Sequence, residues 1–115
     1  LRDEVTNRDI QTAFRTGWQA DYPSAYNFLA PLYQTGAGSN DGDYSSPAFD
    51  ALLTEAASAS SVDEANELLG QAQGVLFDDL PSIPLWYQNS ISSHVDNVVF
   101  GWNTVPLYYQ VTKTS

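Results

Sequence analysis

Apolar positions recur at helical spacing in two segments of the chain and alternate loosely in two others. Ser46-Pro47 places a capping hydroxyl and a first-turn proline ahead of Phe49, Leu52, Leu53 and Ala56, which share one helical face. This spacing predicts a helix that ends in the small-residue run Ala57–Ser61. Ser61-Val62-Asp63-Glu64 then forms a capping box for a second helix. There Ala65, Leu68, Leu69, Ala72 and Leu76, together with Val62, make one buried stripe. With so short a connection the two helices form an antiparallel pair.

Thr12–Gln19 alternates, with Ala13, Arg15 and Gly17 on one face and Phe14, Thr16 and Trp18 on the other, and it reads as a strand. It opens into Gly17-Trp18-Gln19-Ala20-Asp21-Tyr22-Pro23, an acid between two aromatics closed by a proline. Such strand ends often carry ligand contacts, because rigid elements position the loops beside them. A short helix is expected over Ser24–Tyr33, with Phe28, Leu29 and Leu32 inward and Pro31 weakening its far end. Thr35–Ser46 is a long loop containing Gly36, Gly38 and Gly42. Ile83–Gln88 reads as a second strand, with Pro84 near its start where the missing N–H costs least. Extended segments are expected over Ser90–Asp96 and Asn97–Trp102, and a last strand over Leu107–Thr112. The order is α/β, a helix pair packed on a small mixed sheet. Two strands before the tail are too few for a stable sheet, so a larger lobe is expected around them.

Composition narrows the partners. The chain has 115 residues with 4 basic and 14 acidic side chains, a net charge of −10. That balance excludes phosphate-driven nucleic-acid binding and disfavours anionic membrane surfaces. There is no cysteine, hence no disulfide, thiolate catalysis or thiolate-bound zinc. No apolar run has the length of a membrane span. The 3 Trp, 7 Tyr and 5 Phe suggest an aromatic core or a stacking surface.

Catalytic signals are thin. His94 is the sole histidine, and no nucleophile elbow accompanies it. Asp78-Asp79 diverge along a helix and read as solvated surface. Asn40-Asp41-Gly42-Asp43 fails the spacing of a calcium loop and reads as a polar turn, so no metal is assigned. Gly36-Ala37-Gly38 lacks the third glycine of a dinucleotide fingerprint, and no cofactor is expected. Arg15, Trp18 and Asp21 remain. On periodicity alone they fit a core aromatic, a surface arginine and a turn-capping acid slightly better than a ligand site.

A set of ordered blocks shifts that balance. Phe14–Pro23, then Asn27-Phe28-Leu29, then Ser39-x-Asp-Gly-x-Tyr44, Ser46–Leu53 and Leu80–Tyr87 together resemble the oligopeptide-binding class of ABC-transporter solute-binding proteins, known as extracellular solute-binding family 5. Each block is modest and the ordered set is specific. The resemblance covers roughly Phe14–Tyr87 and continues more weakly to the end.

The resemblance implies a fragment of the second lobe of a two-lobed, periplasmic-binding-protein-like (type II) fold, with residues 1–115 a single partial domain. Residues 97–115 would form a tail packing on a first lobe, and a signal or lipid anchor would lie upstream. It implies a non-enzymatic, extracytoplasmic protein, periplasmic or a cell-surface lipoprotein, that delivers short peptides to a membrane permease. Asp21 matches the acid that receives a peptide α-ammonium, Trp18 the aromatic lining the channel, and Arg15 a basic position that can meet a carboxylate. Gln19 and Gln88 fall beside the ligand at positions where relatives vary. Two alternatives stay open: the same fold binding an oligosaccharide or other solute, and a small hydrolase using Asp21 with Asp43 or Asp78. A chain lacking its first lobe is also expected to expose apolar surface and self-associate.

Overall fold

Helix ends are where the sequence is most explicit, and they define the architecture. The computed structural model describes residues 2–10, 12–89, 98–103 and 105–113. The elements are α1 (Arg2–Thr6), α2 (Tyr26–Tyr33), α3 (Pro47–Ala57), α4 (Val62–Asp79), β1 (Val98–Asn103) and β2 (Val105–Lys113). The chain divides into two compact units, Leu1–Ile83 and Pro84–Ser115.

In the first unit α3 starts as expected. Ser46 is extended, its hydroxyl accepts from the Phe49 N–H, and Pro47 occupies the first turn, where its missing N–H leaves nothing unpaired. Ser61 accepts from the Glu64 N–H at 3.2 Å to start α4. The return bond of the box shifts by one residue: the Glu64 carboxylate accepts from the Ser60 N–H at 2.8 Å and the Ser60 hydroxyl at 2.7 Å. These bonds hold the Glu64 carboxyl below its ordinary pKa, the Ser60 hydroxyl contributing most. The anion also stands at the positive end of the α4 dipole.

The helix pair closes on α2, which touches both partners. Its core is Leu29, Ala30, Phe49, Leu53, Ala56, Leu69 and Ala72, with Phe49 and Leu53 wholly inaccessible to solvent. Tyr33 and Tyr44 meet the Phe49 ring edge to face, at centroid distances of 6.4 and 5.9 Å. That arrangement places positive ring edges against negative faces. At its far end α4 stops at Leu80, which adopts a left-handed backbone with φ 47° ahead of Pro81. A leucine takes that conformation only under local strain.

Several expectations need correction. Thr12–Gln19 and Ile83–Gln88 hold no strand, and the first unit contains no strand among the described residues. Alternation specifies which faces a strand would show, whereas a strand also needs a neighbour to pair its backbone groups. The mixed sheet beneath the helix pair is therefore not observed. The extended segments expected over Asn97–Trp102 and Leu107–Thr112 do pair, as the antiparallel hairpin β1–β2 of the second unit, with a register shift between Val99 and Gly101. Ser90–Asp96, including His94, lies outside the described residues.

Helix α2 begins at Tyr26 rather than Ser24, yet the turn is prepared earlier. The Tyr26 N–H donates to the Ser24 hydroxyl, and the Asn27 N–H to the Ser24 carbonyl. The far end agrees: α2 contains Pro31 and ends at Tyr33. Phe28 is exposed, as is Val62 in the first turn of α4. The inward faces are carried instead by Leu29 and Ala30 in α2 and by Leu68, Leu69, Ala72, Val75 and Leu76 in α4.

Two substitutions test this packing with opposite signs. Phe49→Ala empties the centre of the core and lowers unfolding free energy by about 3–5 kcal/mol in urea melts. A Cβ at exposed Gly70, mid-helix in α4, meets no atom within 4 Å. Gly70→Ala is therefore expected to raise stability by roughly 0.5–1 kcal/mol in the same melts.

Candidate functional site

The segment Trp18–Asp21 leads into the first turn of α2, and the helix reaches back to hold it. Asn27 is the second residue of α2 and is 6% exposed. Its side-chain carbonyl accepts from the Asp21 backbone N–H at 2.9 Å and from the Trp18 indole N–H at 3.3 Å. One amide oxygen has lone pairs for two donors, so a single buried atom satisfies both. The outcome is a half-buried Trp18 ring and an exposed Asp21, separated by two residues and tied to the same point of the core. Tyr22, beside Asp21, is also exposed.

A second loop is organised in the same way. Asn40 is 4% exposed; its side-chain N–H groups donate to the carbonyls of Gln34 and Tyr44, and its oxygen accepts from the Tyr44 N–H. Arg8 joins this loop from the other side. Arg8 lies in the left-handed region just after α1, where its guanidinium donates to the Val5 and Thr6 carbonyls and forks onto Asp43 through two bonds of 2.6 Å. Hydrogen bonding to Arg8 holds the Asp43 carboxyl below its ordinary value, and Asp43 in turn raises the Arg8 pKa. An acid kept ionised in this way is unsuited to general acid work, which needs a raised pKa. The Tyr44 hydroxyl donates to Asp79, and burial, reinforced by that acid, raises the phenol pKa. No group of three or more His, Cys, Asp or Glu suited to a metal occurs among the described residues.

Of the residues singled out in the sequence, Arg15, Trp18, Gln19 and Asp21 lie on one stretch of the first unit, and Arg15, Gln19 and Asp21 are exposed. Gln88 is exposed in the second unit. Asn27 had no site role in the sequence reading. The signal for it was its spacing: it precedes Ala30 by three residues and so shares an inward helical face.

No family model matches the chain. Over 85 residues, 74% of its length, the chain is 29% identical to the oligopeptide-binding protein OppA of Bacillus subtilis, covering 15% of that protein. The chain is similar to bacterial solute-binding proteins. Over 76 residues it is 36% identical to heme-binding protein A of Haemophilus influenzae, 64% of this chain and 14% of that protein. Over 74 residues it is 32% identical to the probable deoxycholate-binding periplasmic protein YgiS of Escherichia coli, again 64% of this chain and 14% of the relative. The chain thus spans about one seventh of the length of these relatives. All three are named for binding rather than catalysis. No helix among the described residues is long and apolar enough to cross a membrane.

The Arg8–Asp43 fork sets a pH expectation. A carboxyl with a depressed folded pKa stabilises above its unfolded value, near 3.9, and that contribution fades as pH falls through the lower folded value. Arg8→Ala is expected to return the Asp43 midpoint to the ordinary carboxylate range in a carbon-detected NMR titration. An unmoved midpoint would show that the fork does not form in solution.

Proposed function

We propose that this chain contributes one lobe's share of a two-lobed, non-enzymatic solute-binding protein that captures short peptides outside the cytoplasmic membrane for an ABC permease. The observation carrying this reading is the Trp18–Asp21 loop fixed by Asn27, in a chain similar to an oligopeptide-binding protein. Asp21 would receive the peptide α-ammonium through a charge-assisted bond, and Trp18 would form an apolar wall of the channel. Arg15 and Gln19 would lie along the ligand. A net charge of −10 favours cationic over anionic ligands, and the fixed polarity of binding would come from Asp21. Side chains of the ligand would sit in hydrated space, so that many sequences are accepted. The ligand would favour lobe closure because it touches both lobes. Residues 97–115 would pack on the other lobe, and the protein would be periplasmic or a cell-surface lipoprotein.

A second reading keeps the fold and changes the ligand. Two relatives are named for heme and deoxycholate, both largely apolar. The observation favouring it is the exposure of the Tyr22 ring beside Asp21. Such a ring suits stacking on a flat or ring-shaped solute, a sugar included.

Calorimetry on the two-lobed protein with trialanine, N-acetyl-trialanine and hemin separates the readings. Asp21→Asn should weaken trialanine by roughly 10- to 100-fold, the value of a charge-assisted bond of about 1.5–3 kcal/mol. Equal affinity for the acetylated peptide would remove the ammonium role, and hemin binding without peptide binding would favour the second reading.

A further inference from the structure

We propose that Asn27 is the positioning residue of the ligand loop, fixing the Trp18 ring and the Asp21 carboxylate as one unit before any ligand arrives. This rests on the reading that Trp18 and Asp21 face the ligand. Asn27 itself is buried and acts through the two residues it holds.

Three observations support the assignment. The Asn27 oxygen bonds two donors three residues apart in sequence, so it fixes two points of the same loop. One donor is a side chain and the other a backbone N–H, so the bridge sets both the tilt of the indole and the path of the chain at Asp21. The amide stands on α2, whose Leu29 and Ala30 belong to the buried core, and is therefore anchored to that core. The segment Thr12–Asp21, which carries both fixed points, has no helix or strand of its own to hold it. A preorganised contact surface avoids the ordering cost that a loose loop would meet on binding.

The test separates acceptor from volume. Asn27→Leu keeps the size and removes the acceptor. Asn27→Asp keeps an oxygen for both donors. The readout is solvent exchange of the Trp18 indole N–H in the nitrogen-15-labelled chain, assigned by its loss in Trp18→Phe. In the wild type it is expected to exchange at least about tenfold more slowly than free indole, in Asn27→Leu to lose that protection, and in Asn27→Asp to stay within about twofold of wild type. Absence of protection in the wild type, or full protection in Asn27→Leu, overturns the assignment. Should Asn27→Leu fail to fold, the wild-type rate and Asn27→Asp decide it.

Trialanine calorimetry in the two-lobed protein adds a functional arm, where Asn27→Leu is expected to weaken binding about tenfold. Unchanged affinity alongside lost indole protection would overturn the claim that the loop's posture matters to the ligand. The exchange measurement contains no ligand, so it supports or refutes the bridge even if wild-type protein ignores trialanine, an outcome that strikes the peptide reading instead.

Discussion

Irregular backbone laid against an apolar core must find partners for its N–H and C=O groups, and here two buried side-chain amides supply them. Asn27 and Asn40 are the buried polar residues among those described, and each closes one of the loops that flank α2. A buried amide without partners would cost more than its bonds return, so each amide and its loop stabilise one another. The three-helix core around Phe49 and Leu53 provides the dry surroundings that make those bonds strong. The loops in turn cover the ends of α2, whose eight residues are too few to be stable alone.

Charge works more by scarcity than by abundance. Four basic residues serve fourteen acids. Arg8 is committed to holding the glycine-containing loop against α1, with both Arg8 and Asp43 in left-handed backbone that neither would choose unaided. The pair is exposed, so its role is to fix a loop path more than to add global stability. On the other side of Tyr44, Asp78 and Asp79 stand at the C-terminus of α4, where the helix dipole disfavours acids. The Tyr44 hydroxyl offsets part of that by donating to Asp79.

What the sequence made legible follows from how local each signal is. Ser46-Pro47 and Ser61–Glu64 set helix starts through bonds within one turn, and both starts lie where the residues indicate. The inward faces of α3 and α4 followed from spacing, apart from Val62, which is exposed in the first turn of α4. Thr12–Gln19 misled because alternation carries no information about whether a partner strand exists. Trp18 and Asp21 were recognisable as a constellation, since two aromatics around an acid before a proline stand out in any chain. The Asn27 bridge was not, because an asparagine in a helix ordinarily reads as a polar surface residue, and its bonds depend on a loop path that only the folded chain reveals.

The Asn27 bridge also bears on how such a protein changes over time. Two points of the loop are fixed from beneath, while Gln19 between them projects outward and lies outside the apolar core. Substitution at that position can alter the exposed surface of the loop while the helical unit keeps its stability. Under the proposed solute-binding role, single substitutions there would retune the preferred cargo while each variant stays folded.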